Sequence, residues 1–443
     1  MRVTKRHVLY PMQLGLNHTT MAGAQDPKSL RVAKNISIRN QGGLRKAPGV
    51  TAIPYIGNRY GIQGICHFFS TVGGSRVDEI VTVRQGRIEV IRNERIYDMG
   101  LQVSDSDVVT FERFANKLII HFQNTEPKVY TAGGSTVSDL GIPSTHQDSP
   151  PTMSRVFQFR HWYAGRGTYP DRLTVSAINS LTDYTLSGGG FQMKINEGDG
   201  DPKGITGLSP SFNQSLFIYK YKSIHQIGRS GYGYGLGTIS EELGCVHHNT
   251  IVATPGDIIH VSSFGVHSLV RLLSAAQNPF AHVLTFPIFE WFQENVNWAS
   301  AQYMQAAYDT MTNSYLLAFA SASSAVNNTV LSINLSNLQI TTWEDQEFPA
   351  IGRYFEAGRP RVMVAVEGKG IGYFDPTTTK IFDSSIDSEI KTGPIMPLDD
   401  RKSIVSFTKA FLLFKPTLTS ENAELTFTWF IDGKRISAAT LSL

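Results

Sequence analysis

Phe191-Gln192-Met193-Lys194-Ile195, a turn cluster from Asn196 to Pro202, Gly204-Ile205-Thr206-Gly207-Leu208, Ser215-Leu216-Phe217-Ile218-Tyr219 and Ser223-Ile224-His225-Gln226-Ile227-Gly228 follow one another without a break. A second set mirrors them: Asn249 to Ala253, a Pro255-Gly256-Asp257 turn, Ile258 to Ser262, and Gly265 to Leu269. Runs of four to six apolar and β-branched residues, closed each time by Gly, Pro, Asn or Asp, leave no room for a helix. That rhythm is the signature of antiparallel propeller blades.

The same rhythm extends in both directions. Gly64–Phe69, Glu79–Val83, Arg87–Ile91 and Ile96–Gly100 form one unit of four short strands with tight turns. Val108–Phe111, Lys117–Phe122, Lys128–Tyr130 and Val137–Gly141 form the next. Asp98-Met99-Gly100 and Asp139-Leu140-Gly141 mark a repeat of about 40 residues, in the range of propeller blades. The Pro-rich segment 142–151 reads as an extended linker, because proline fixes φ and lacks a donor. Val156–Arg160, His161–Gly165 and Asp171–Ser176 follow, and two further units fill 204–270. Strands resume at Tyr303–Tyr308, Tyr315–Ala320, Thr329–Leu335 and Leu338–Trp343; Arg361–Val366, Gly370–Asp375 and Lys380–Phe382 look like a last, incomplete unit. The expected fold is all-β: a propeller of six or seven blades over 56–385, an N-terminal arm over 1–55, and a C-terminal β element over 386–443. The tail, from Ile404 to Phe414 and from Glu424 to Ile431, is expected to pair with the N-terminal segment.

The chain has 443 residues, 40 of them basic and 37 acidic, a net charge of +3. That balance does not mark a nucleic-acid binder. Charged residues make up only 17%, which suits a protein with much surface buried in an assembly. Cys66 and Cys245 lack metal-ligand spacing, so zinc is not expected; a disulfide between them stays open. Met1-Arg2-Val3-Thr4-Lys5-Arg6-His7 is basic without the apolar core of a signal peptide, and no run is long enough for a membrane helix. A soluble protein is expected.

The catalytic motifs of known propeller and hydrolase sites are missing. Ile340-Thr341-Thr342-Trp343 lacks the Asp-x-Gly of a sialidase box, and there is no nucleophile elbow, P-loop or His-Glu-x-x-His. Gly231-Tyr232-Gly233-Tyr234-Gly235 reads as a mobile loop that follows no strand into a helix, so it is no phosphate cradle. Glu197, Asp199 and Asp201 alternate with glycine, loosely like a calcium loop; turn chemistry also explains them, and the distal bidentate Glu is missing. Cys245-Val246-His247-His248 reads as a buried cysteine beside histidines. No cofactor is expected.

The acidic Gly turn, Ile205-Thr206-Gly207-Leu208, the Leu216-to-Lys220 strand, Ser223-Ile224-His225-Gln226-Ile227-Gly228, Glu242-Leu243-Gly244-Cys245-Val246 and Ser262-to-Val266 resemble bacteriophage tail proteins. Among these they are similar to the nozzle, DNA stabilisation or tail tubular proteins of short-tailed phages. At the other end, Gly15-Leu16-Asn17, the strand opening at Asn35, and Gly43-Leu44-Arg45-Lys46-Ala47-Pro48-Gly49 resemble the start of the same proteins. Ala47 stands where a second Arg is usual. The resemblance spreads over roughly the whole chain. It implies a non-enzymatic virion protein: a hexameric ring below the portal and adaptor, touching tail fibres, that passes double-stranded DNA without reading its sequence. Two alternatives remain: another tail hub or ring protein, and a carbohydrate-binding or depolymerase propeller.

A ring subunit needs two unlike surfaces. Segments that the blade rhythm does not use are the candidates. They are the 1–55 arm with Arg45 and Lys46, the C-terminal element from Ile404, and the aromatic excursion from Pro279 to Trp298. That excursion carries Phe289, Trp291, Phe292 and Trp298, and aromatic anchors dominate interface energetics. The alternatives are solvated surface for the two basic residues and packing on the propeller rim for the aromatics.

Overall fold

The computed structural model describes residues 14–18, 29–38, 43–54, 56–104, 107–231, 233–274, 282–356, 358–392, 424–431 and 434–442. It is a β-propeller, with 51% of residues in strand and 8% in helix. Six blades have four antiparallel strands each. Blade 1 is Ile62–Val72, Ser75–Arg84, Arg87–Arg92 and Arg95–Gln102. Blade 2 is Thr110–Phe114, Lys117–His121, Lys128–Thr131 and Val137–Asp139. Blade 3 is Met153–Phe157, Arg160–Ala164, Arg172–Val175 and Phe191–Lys194. Blade 4 is Ile205–Leu208, Ser215–Lys220, Ile224–Ser230 and Gly233–Ser240. A three-stranded sheet follows, Val252–Thr254, Asp257–Ser262 and Gly265–Ser268. Its missing fourth strand is replaced by the segment at Val283, through Ser268 N–H to His282 O at 3.0 Å and Leu284 N–H to Val266 O at 2.8 Å. Blade 5 is Gln305–Asp309, Ser314–Phe319, Thr329–Asn334 and Ile340–Trp343.

Blade 6 takes Ile351–Glu356, Arg359–Val366 and Gly370–Asp375 from late in the chain and Gly49–Ala52 from its beginning, with Tyr373 opposite Thr51. The last unit looked incomplete because its outer strand lies some three hundred residues upstream. The arm also runs along blade 5: Ser29–Lys34 pairs with its outer strand, Gly15–Leu16 pairs with Ser29–Lys34, and Glu389–Thr392 adds on the other side. Boundaries at 55/56 and 385/386 therefore do not match the contacts, which hold 1–395 together as one unit and 396–443 as another. Backbone pairing, invisible to local patterning, sets this division.

Each junction between successive sheets has its own apolar cluster. Val81, Val83 and Leu118 join blades 1 and 2, Leu173 and Leu216 join 3 and 4, Leu316 and Val364 join 5 and 6, and Ile65 and Met363 close the ring between 6 and 1. A second strand is covered on both faces by neighbouring blades. It therefore reads as a continuous apolar run with no alternation, and every residue of Ser215–Lys220 and Ser314–Phe319 is buried.

Local readings are corrected in three places. Phe191–Lys194 closes blade 3, and does not open the following unit. Gly233–Gly235 belongs to the outer strand of blade 4, paired to Ile224–Ser230, so this part of the Gly/Tyr segment is strand and not loop. Glu424–Ile431 pairs with Lys434–Ser442 as a two-stranded hairpin, and the segment that pairs with the N-terminal arm is Glu389–Thr392. Ile404–Phe414 lies outside the described residues. No helix among the described residues is long and apolar enough to cross a membrane.

Candidate functional site

The acidic turn and the strand after it form one buried ion cluster. Lys220 ends the second strand of blade 4, and its side chain has no exposure to solvent. Its ammonium donates to both carboxylate oxygens of Asp199 at 2.7 Å and to Asn196 O at 3.2 Å, and lies 2.9 Å from Asp171 Oδ1. Burial works to lower the lysine's pKa, but the two carboxylates outweigh it and the net shift is upward. Asp201 accepts the backbone N–H of Lys203 at 3.0 Å and of Lys222 at 2.8 Å. Of the carboxylates that suggested a calcium loop, Asp199 and Asp201 therefore tie the turn to blade 4, with a lysine where a cation would sit, and Glu197 pairs with Lys194 of blade 3. Among the described residues no group of three His, Cys, Asp or Glu is placed to hold a metal ion.

Both cysteines are free. Cys245 is fully buried, which pushes its thiol up to about 11 despite contacts with Thr250 Oγ1 and His247 O, each at 3.3 Å. A thiol held neutral at that value is a poor nucleophile.

The aromatic excursion divides in two. Phe289–Asn295 is a short helix and Trp298–Tyr303 a 3-10 segment. Phe292 is fully buried within the chain, 5.8 Å from Trp298 and 5.9 Å from Phe319, so it is core and not an exposed interface candidate. The physical reason is helical phase: a helix on the rim turns one side to the sheet, and Phe292 is on it. Phe289 is half-buried. Trp298 packs on the same core and donates its indole N–H to Gln293 O at 3.3 Å. Trp291 is also half-buried, with its ring stacked 6.3 Å from His18 of the arm. Pro279 and Phe280 lie outside the described residues.

Trp291 forms one wall of a groove of about 640 Å³. Tyr60, at 59% exposure, forms another wall. Between them lie Glu344, Asp345, Glu347 and Glu367, with Asn295 and Asn328. Lys34 reaches Asp345 at 2.8 Å and Glu344 at 3.6 Å. Both Glu367 oxygens accept the Gly61 N–H, at 2.9 and 3.1 Å. Sequence reading missed this site. The run Glu344-Asp345-Gln346-Glu347 was visible, but Glu367, Tyr60 and Trp291 reach it only through the closing of the ring.

Arg45 and Lys46 lie on Leu44–Lys46, which pairs with Ile36–Ile38. Lys46 donates to Ile386 O of its own chain at 3.1 Å. Arg45 lines a second cavity, of about 290 Å³, with Ser37, Met311 and Trp343. The structure does not bring the two basic residues to the groove: the residues that line it are others.

No family model matches this sequence, and no curated protein does. Solved structures align with this chain at low identity and low TM-score. The extracellular domain of a hybrid two-component system from B. thetaiotaomicron aligns with TM-score 0.44 and 9% identity over 74% of this chain, which spans only 42% of that one. The structure of YCF48 bound to D1 peptide aligns with TM-score 0.44 and 11% identity over 74% of this chain and 98% of its own. The computationally designed Ika8 protein aligns with TM-score 0.39 and 10% identity over 72% and 97%.

Proposed function

We propose that this protein is a non-enzymatic structural component of a phage tail, a nozzle-like ring subunit whose assembled ring forms a DNA exit channel and helps retain the genome. The observation that carries this reading is how the stretch resembling nozzle proteins is used. Its acidic turn and strand are spent on the Lys220 cluster, and its Glu-Leu-Gly-Cys-Val segment packs as buried core, with Leu243 and Cys245 between blade 4 and the three-stranded sheet. These residues serve to hold blade 4 and its neighbours together. A ring of such subunits fixes a channel width by geometry alone. A chain with near-equal numbers of basic and acidic residues suits DNA that must slide, because each lysine or arginine placed on a phosphate adds binding that slows passage. Hexameric symmetry, and contacts with the adaptor, portal-proximal proteins and tail fibres, follow from the resemblance and belong to the same proposal, as does a place in the virion.

Electron microscopy of the purified protein, and of virions labelled at this chain, tests the proposal. Closed rings with an axial opening, and label at the tail, are expected. Label absent from the tail, or turnover of polysaccharide, peptidoglycan or nucleic acid by the purified protein, overturns it.

A further inference from the structure

The groove beside Trp291 has an unbalanced charge. Four carboxylates, Glu344, Asp345, Glu347 and Glu367, line it, and Lys34 is the cation that reaches two of them. Burial works to lower the Lys34 pKa, but Asp345 and Glu344 raise it overall, so this ammonium is committed to them. Glu367 is satisfied by a backbone N–H, which compensates hydrogen bonding without cancelling the charge. The Glu347 carboxylate is exposed and makes no bond among the described residues. Tyr60 and Trp291 line the groove with these acids. Carboxylates beside aromatic faces are complementary to guanidinium and ammonium groups, which take an ion pair from one and a cation–π contact from the other. A neutral sugar would stack on the rings and leave the charge unpaired.

This sequence contains a segment of the matching chemistry. Arg2, Lys5 and Arg6 put three positive charges within Met1–His7. These residues lie outside the described ones and contribute by their charge and their place in the chain. Leu14 and Gly15–Leu16 run along the outer edge of blade 5, the blade whose last strand leads into Glu344–Glu347. From Leu14 back to Lys5, an extended chain spans roughly 30 Å, enough to leave its own blade.

We propose that the groove of one copy receives the Arg2–Arg6 segment of a neighbouring copy. This rests on the ring reading and gives it a contact: segment and groove are unlike patches, as head-to-tail closure requires.

The test uses the full chain. Sedimentation at about 50 mM and about 500 mM salt should show association that weakens at high salt, since partly exposed pairs are screened. The Arg2→Glu, Lys5→Glu, Arg6→Glu variant should associate about tenfold more weakly, in line with the loss of close charge pairs. Glu347→Lys alone should weaken association, and pairing it with Arg6→Glu should recover part of the loss. A synthetic Met1–His7 peptide added to the triple variant should change tryptophan emission saturably, and the same peptide with glutamate for its basic residues should not.

Association of the triple variant equal to that of the natural chain overturns the proposal. So does a response to neutral oligosaccharide without a response to the basic peptide, which would make the groove a glycan site. Peptide binding by the triple variant, with a natural chain that stays monomeric at every concentration, places the segment in its own groove and overturns the exchange between copies. Rings that persist in the triple variant sink the segment-in-groove contact and leave the ring reading intact. Absence of rings from the natural chain and of label from the virion tail sinks the ring reading itself.

Discussion

Asn35 is a single side chain at which three segments cross. Its backbone is left-handed, φ +53°, which asparagine tolerates better than most residues. Its amide donates to Asp345 Oδ2 at 3.1 Å and Asp387 O at 2.8 Å, its side-chain oxygen accepts Glu344 N–H at 2.7 Å, and its backbone carbonyl accepts Ala47 N–H at 2.9 Å. Asn35→Ala removes three of these bonds and adds strain, and should cost about 2–4 kcal/mol in chemical unfolding. A loss below about 0.5 kcal/mol would mean that the arm is held by its strands alone. The sequence showed Asn35 at a strand start but not its partners, which lie more than three hundred residues away. Buried histidines act at the same scale. Burial lowers His260 to about 3 and His121 to about 4, and both are neutral in the fold. An unfolded histidine titrates near 6.5, so below that pH the unfolded chain binds protons the fold refuses. Their contribution is complete above about pH 6.5 and is lost as pH falls towards about 4 for His121 and about 3 for His260. The melting temperature should fall over that window. Among the described residues neither ring nitrogen of His260 has a hydrogen-bond partner, so His260→Leu should make the fall shallower without lowering stability at pH 7. An unchanged slope would remove His260 from the account.

At the scale of elements, the outer edges of the sheets differ. Arg95–Gln102 carries Arg95 and Asp98, Val137–Asp139 is short and ends in an acid, and Phe191–Lys194 ends in a lysine. The edges of the three-stranded sheet, blade 5 and blade 6 are covered by Val283, Ser29–Lys34 and Lys380–Ile381. Gly233–Ser240 is long, largely exposed and free of charge or proline. Charges and covering segments are how proteins keep sheet edges from pairing with other chains. Leu236→Lys, at a residue 39% exposed, should lower turbidity on concentration and leave unfolding free energy within about 0.5 kcal/mol. Equal turbidity in both proteins would show that this edge is already protected. Periodicity made the paired strands of blades 1, 2 and 5 legible, because each lies beside its sequence neighbour. It failed at Gly233–Gly235, where glycine and tyrosine look like loop chemistry although the ladder to Ile224–Ser230 holds them as strand. It failed also at Phe292, where an aromatic-rich stretch without a clean period hid a helix with a core side.

For the whole molecule, the fold was legible and its closure was not. Alternating strands and turns gave the propeller, but only pairing across the chain makes Gly49–Ala52 a blade strand and brings Tyr60, Trp291 and Glu367 to one groove. A charge balance near zero conceals the local sign of that groove for the same reason. The closure also makes a prediction. Cutting the chain between Ala52 and Ile62 breaks the covalent link between the outer strand of blade 6 and blade 1, leaving that strand to its backbone pairing, the buried Val50 and the 3.0 Å bond from Thr51 to Asp375. If the ring depends on that strand, protease-nicked protein should unfold at a lower denaturant concentration than intact protein; identical midpoints would show that the three remaining strands of blade 6 suffice.

The strand at Gly49–Ala52 also sets a timetable. It leaves the ribosome long before its partner at Gly370–Asp375, which is among the last propeller strands to be made. At roughly 5–20 residues per second, the first strand waits tens of seconds with its backbone donors and acceptors unmatched. During synthesis the blades can assemble one after another while the circle stays open, and a transcript cut short after blade 5 yields a chain with a strand that has no place to go. Such a chain is a natural client for chaperones, and the finished protein is released from that risk in one late event.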